Sequence, residues 1–182
     1  MKKQTKIWLS AGALVAATAA VSKYSSKNAP LETVPDVDLD RYQGRWYEIA
    51  RFPKRFEKGC HCVFAEYTKH PKGHVEVYNY CREGGPTGKE DTAKGKAFPV
   101  EGSNNSKLKV QFFWPFRGDY WILELDPDYQ HALVGSPDRE SLWVLSRTPQ
   151  LDEPAYNRLV QAARQKGFPV EKLMLTDQSC YG

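Results

Sequence analysis

The residues of this chain with the most chemical potential are four cysteines, Cys60, Cys62, Cys81 and Cys180, and four histidines, His61, His70, His74 and His131. A thiolate can act as a nucleophile or a metal ligand, whereas an even number of cysteines in an exported chain reads first as two disulfides, with three possible pairings. Cys60-His61-Cys62 is a poor metal site, because adjacent side chains on a strand point to opposite faces and the ligand spacing of known zinc modules is absent. No metal is therefore expected. The histidines fall at strand starts and turns, which predicts solvated imidazoles. Gly-x-Ser-x-Gly, His-Glu-x-x-His and phosphate-cradling glycine loops are all missing, so neither an enzyme nor a cofactor is expected. One catalytic candidate is left, an unpaired cysteine, Cys81 above all, facing an enclosed space.

The elements that must hold these residues are short and β-rich. Strands are predicted over Trp46–Arg51, Val63–Tyr67, Val75–Cys81, Lys94–Phe98, Leu108–Trp114, Tyr120–Leu125, His131–Gly135 and Leu142–Ser146, separated by turn residues such as His70-Pro71-Lys72-Gly73 and Ser136-Pro137-Asp138. The period changes only near the end. Pro154 opens a helix to about Lys166, closed by Gly167, with Leu159, Val160 and Ala163 on one stripe. Eight antiparallel strands and one late helix predict an all-β fold, an up-and-down barrel with the helix packed outside, in preference to a sandwich.

The chain has 182 residues, 41% of them hydrophobic, enough for one good core. Its net charge of +4 comes from the first 35 residues, since from Asp36 onward basic and acidic residues balance at 21 each. This gives no support to nucleic-acid binding, which needs clustered Lys and Arg on the folded domain. Lys2, Lys3 and Lys6 precede an uncharged, mostly apolar run from Ile7 to Val21, and Ala17-Thr18-Ala19 supplies a small-x-small cleavage pattern. Residues 1–21 thus read as an export signal, too short to span a bilayer, and 22–35 as a disordered linker before a domain over 36–182.

Gly44-Arg45-Trp46-Tyr47-Glu48-Ile49-Ala50-Arg51, following Asp40-Arg41-Tyr42, resembles the first signature of the lipocalin family. Leu125-Asp126-Pro127-Asp128-Tyr129 resembles the second motif, and Leu142 to Pro149 the third. Arg-Trp-Tyr-Glu-Ile, Arg55 to Gly59 and Ser-Arg-Thr-Pro are most similar to the bacterial lipocalin and apolipoprotein D branch. Two departures stand out: Leu125 replaces a common Thr, and the acylated cysteine of the bacterial lipoproteins is missing, the first cysteine here being Cys60.

The resemblance implies a barrel with Gly44, Trp46, Asp126 and Arg147 as structural residues, Trp46 and Arg147 meeting at its closed end. It implies a bridge from Cys62 to Cys180; Cys60 and Cys81 then remain, nearly opposite in their hairpin if a bulge adjusts the phase, and exchange of Cys60 with Cys62 stays open. With the phase of the strands taken from the family, Ala65, Tyr67, Val77, Asn79, Ala97, Val110, Phe112, Tyr120, Ala132, Val134 and Trp143 point inward. Ala65, Ala97 and Ala132 are too small to fill their share of an eight-stranded barrel, which predicts an apolar cavity; the hydroxyls of Tyr67 and Tyr120 and the amide of Asn79 would orient one polar group. The expected partner is a small hydrophobic or lipid ligand, stored or transported at the cell envelope or secreted. Phe52, Phe56, Phe113, Trp114 and Phe116 are expected exposed near the mouth, where a membrane surface or a protein could meet them. The alternatives are an enzyme using a cavity cysteine, and an interaction module whose barrel is filled.

Overall fold

A computed structural model describes residues 29–181. Eight antiparallel strands, β1 (Gly44–Arg51), β2 (Cys60–Lys69), β3 (Val75–Glu83), β4 (Lys89–Pro99), β5 (Lys107–Gln111), β6 (Gly118–Leu125), β7 (His131–Gly135) and β8 (Leu142–Ser146), follow one another round a single sheet. Pairing of β1 with both β2 and β8 closes it into a barrel, and a short β9 (Met174–Leu175) adds to the upper part of β1. Closure removes the exposed edges that an open antiparallel sheet would present.

Alternation along the strands separates two apolar clusters. The inner one includes Tyr42, Trp46, Tyr67, Val77, Leu108, Ile122 and Val134. The outer one joins Leu123, Leu133, Leu142 and Val144 on the barrel wall to Leu159, Ala163 and Phe168 from the C-terminal segment. Leu159 and Ala163 belong to helix α2 (Glu153–Gln165), which begins where the Asp152 carboxylate accepts the Ala155 N–H at 2.7 Å and stops before Gly167, whose φ of +85° ends the helix at no Cβ cost. A preceding single turn, α1 (Leu39–Tyr42), is capped by Asp38 and carries Tyr42 under the barrel.

The structure extends or trims several sequence expectations. β4 begins at Lys89, five residues early, because Lys89 to Ala93 pair with β3 beyond the enclosed part of the barrel, where charged side chains on both faces disguise a strand. β5 ends at Gln111, and Phe113 and Trp114 lie beyond the strand, exposed. The expected linker over 22–35 reaches too far: Leu31 is buried in the outer cluster, Thr33 hydrogen-bonds Ser106, and the Val34 N–H donates to the Ile122 carbonyl at 3.0 Å. The expected export signal over 1–21 lies outside the described residues. Phe52 is not a mouth aromatic but is 2% exposed, packed near Phe168.

Candidate functional site

At one end the barrel is sealed. Trp46 is fully buried, its indole N–H donating to the Tyr42 carbonyl at 2.8 Å while the Tyr42 ring stacks on it at 4.9 Å. The Arg147 guanidinium lies 3.9 Å from the Trp46 ring and donates to the carbonyls of Arg45, Arg41 and Tyr129. A cation over an aromatic face with its donors filled by three carbonyls is a stable closure. Gly44 begins β1 at φ +87°, a backbone region that a side chain would strain, and so brings the chain in beneath the guanidinium. Asp126 organises the neighbouring β6–β7 turn, its carboxylate accepting the N–H groups of Asp128 and Gln130.

The eleven inward residues divide by height. Tyr67, Val77, Ala97, Ala132 and Val134 are buried in the packed floor, and Ala97 and Ala132 have no exposed surface at all. These two alanines do not line free space, contrary to expectation; Tyr42, Trp46, Leu108 and Ile122 fill the volume they leave. Ala65, Asn79, Val110, Phe112, Tyr120 and Trp143 face inward yet are only half-buried, so solvent-sized space reaches them. The hydroxyls of Tyr42 and Tyr67 both meet that of Tyr120, at 2.8 and 3.0 Å. Burial pushes Tyr67 up to about 12 and raises Tyr42 and Tyr120 as well, so the trio stays neutral and satisfies itself. Of the polar groups expected to face a ligand, Asn79 alone has no side-chain hydrogen bond to another described residue.

Toward the open end the chain buries charge. A bulge at Ile49 shifts the register of β1 against β8 so that Glu48 and Arg51 both turn inward, at 3% and 6% exposure. The Arg51 Nε stands 3.2 Å from Glu48 and 2.9 Å from Glu57, a carboxylate supplied by the β1–β2 loop. Burial, then the Glu57 charge, pushes the Glu48 carboxyl up to about 8, against the opposing influence of the Thr176 hydroxyl and Arg51. Burial raises the Glu57 carboxyl as well, and one proton held by this pair, chiefly on Glu48, leaves a neutral cluster of one guanidinium and one carboxylate. Arg51 Nε and Glu57 Oε2 nevertheless lack well-formed hydrogen bonds. Sequence reasoning missed this trio, although alternation from Trp46 already points Glu48 inward.

The C-terminal segment closes the gap where β1 and β2 part. The Thr176 hydroxyl donates to Glu48, the Gln178 amide donates to the carbonyls of both Glu48 and Val63, and the Cys62 N–H donates to the Asp177 carbonyl. Cys62–Cys180 fastens it, and Cys60–Cys81 crosses the β2–β3 hairpin next to a bulge around Cys62. All four cysteines are paired, which removes the candidate nucleophile and any thiolate metal site. A cleft of about 70 Å³ at this end is lined by Glu57, Cys60, Val63, Asn79, Cys81 and Ala93 among others. A wider groove of about 560 Å³ runs beside Glu66, Tyr78, Lys94 and Trp114 and also touches Val77 and Phe112. His74 departs from expectation, being 9% exposed with an unpartnered Nε2.

An eight-stranded calyx with a sealed floor, a polar mouth and a helix against its outer wall is the architecture of a small-molecule-binding β-barrel. The lipocalin-like domain family matches residues 37–178. The chain is similar to temperature-induced lipocalin-1 of Arabidopsis thaliana, 44% identical over 157 residues and covering 82% of this chain and 83% of that protein. It is also similar to the outer membrane lipoprotein Blc of Escherichia coli K12, 40% identical over 173 residues and covering 91% and 95%. Among solved structures, insecticyanin from the tobacco hornworm Manduca sexta shares the fold, with a TM-score of 0.65 at 21% identity over 82% and 85% of the two chains. The chain belongs to the lipocalin family.

Proposed function

We propose that this lipocalin is an exported, non-catalytic carrier that holds a small apolar or lipid-like molecule, such as an acyl chain or lysophospholipid, in the upper half of its barrel. The observation that carries this reading is the contrast in packing along the interior: the floor is solid, while the inward-facing Ala65, Val110, Phe112 and Trp143 keep accessible surface. Each Å² of apolar area removed from water there contributes about 25 cal/mol, so affinity follows ligand apolar area. Two disulfides suit an oxidising compartment, and the similarity to an outer membrane lipoprotein supports work at the cell envelope, in lipid maintenance. Phe113, Trp114 and Phe116, 75%, 86% and 77% exposed in the β5–β6 loop at the mouth, suit contact with a lipid surface from which such a ligand is collected.

Native mass spectrometry of the exported protein, followed by organic extraction, tests the reading. A stoichiometric apolar molecule is the expected result. A protein that arrives empty and also fails to take up fluorescent fatty-acid probes would overturn it in favour of a barrel acting through its surface.

A further inference from the structure

On the outer wall at the sealed end, the β2–β3 hairpin brings together three side chains that the ligand-binding reading does not use. The turn His70-Pro71-Lys72-Gly73 is closed by Gly73 N–H donating to the His70 carbonyl at 2.9 Å, and the His70 N–H donates to the His74 carbonyl at 2.8 Å. Residues so paired across a hairpin carry their side chains on one face, and Glu76, two residues beyond His74, shares that face. The two imidazoles stack at 4.3 Å, and one donor atom from each of His70, His74 and Glu76 lies within 4.8 Å of the other two.

Most surface histidines satisfy both ring nitrogens with water. His74 cannot, since its ring is held between His70 and Phe98, it is 9% exposed, and its Nε2 is buried without a partner. Leaving such an atom unpaired costs free energy, and a neutral imidazole nitrogen in that position is a ready metal ligand. Glu76 is exposed and forms no salt bridge with another described residue, so its carboxylate is free to turn.

We propose that His70, His74 and Glu76 form a binding site for one divalent transition-metal ion of the zinc, copper or nickel class. Two imidazoles and a carboxylate suit these borderline ions, and exclude calcium and magnesium, which want oxygen donors alone. Around one ion with bonds near 2.0–2.2 Å, tetrahedral donors sit roughly 3.5 Å apart. The donors must therefore draw together by about an ångström, a movement within reach of side-chain rotations of His70 and Glu76 at the surface. Coordination through the His70 Nε2 gives up the 3.2 Å hydrogen bond that its Nδ1 accepts from the Lys72 N–H. The Lys72 and Lys96 charges nearby also oppose a cation, so an exchangeable ion is expected and not a permanently held one.

Titration of the untagged, oxidised protein with Zn²⁺ by calorimetry, and with Co²⁺ followed by its visible d–d bands, tests the site. One equivalent should bind saturably, with affinity falling at least tenfold in His70→Gln and in His74→Gln and staying unchanged in His61→Gln and His131→Gln. His70→Gln keeps the test valid should His74→Gln fold poorly. Absence of saturable binding, or binding that survives His70→Gln or is lost in His61→Gln, which would place the ion beside Asp177, overturns the proposal.

Discussion

The two ends of the barrel solve opposite problems with similar residues. At the sealed end, Arg147 lies over Trp46 with its guanidinium donating to three carbonyls, and the surrounding side chains are packed to zero or near-zero exposure. At the mouth, Arg51 sits between two carboxyl groups with its Nε poorly satisfied, neighbouring inward residues are half-buried, and one loop presents three bare aromatics. Stability concentrates where polar atoms are satisfied and space is filled; adaptable chemistry is left where neither holds.

The largest break in that contrast is Trp46→Ala. Removing a fully buried indole from the floor also strips Arg147 of its aromatic face, and we expect a loss of about 3–5 kcal/mol of stability in thermal or denaturant unfolding. An unchanged midpoint would mean that the floor is dispensable.

Glu48→Gln sharpens the contrast through pH. Because the folded-state pKa of Glu48 is raised from 4.5 to about 8, folding binds a proton between those values. The contribution of this group is intact below pH 4.5 and is lost progressively as pH rises through about 8. The variant should match the native protein near pH 5 and exceed it near pH 8–9 by on the order of a few kcal/mol, flattening the stability profile. Parallel profiles for the two proteins would show that Glu48 is not the buried acid at work.

A phenylalanine placed at two heights distinguishes solid from open interior. Ala132→Phe overpacks the floor and should cost about 1–3 kcal/mol, whereas Ala65→Phe, on a half-buried inward position, should cost less than about 1 kcal/mol while weakening uptake of a fluorescent fatty acid. Equal destabilisation at both sites would erase the division between floor and upper half.

How legible each end was in the sequence follows the same line. Trp46, Gly44 and Arg147 stood in contiguous motifs, and the strand order with its period-2 pattern located the barrel. Family resemblance paired Cys62 with Cys180 but left exchange with Cys60 open, and the structure decides for Cys62–Cys180 and Cys60–Cys81. The mouth depended on events that no local pattern carries. The bulge at Ile49 flips Arg51 from the outward face that strict alternation assigns it to the inward one. Glu57 comes from a loop, and Thr176 and Gln178 arrive from well over a hundred residues away to fill the seam between β1 and β2. Small residues at inward positions also misled: Ala97 and Ala132 read as cavity because the inner cluster they share is also filled by Tyr42, which sits on a one-turn helix the strand pattern does not predict.

The smallest expected effect on stability tests the outermost part of the mouth. Phe113, Trp114 and Phe116 bury little of themselves in the fold, so replacing all three with serine should shift stability by no more than about 0.5 kcal/mol. Their apolar area is instead available to a bilayer interface, where aromatic rings are favoured at the headgroup level. Flotation with phospholipid vesicles should therefore recover the native protein with the lipid and leave the triple variant behind, while both still bind a soluble fatty-acid probe. If the variant floats as well as the native protein, the loop is no lipid contact; if it also loses the probe, these rings belong to the ligand site, and the boundary between interior and mouth must be drawn further out.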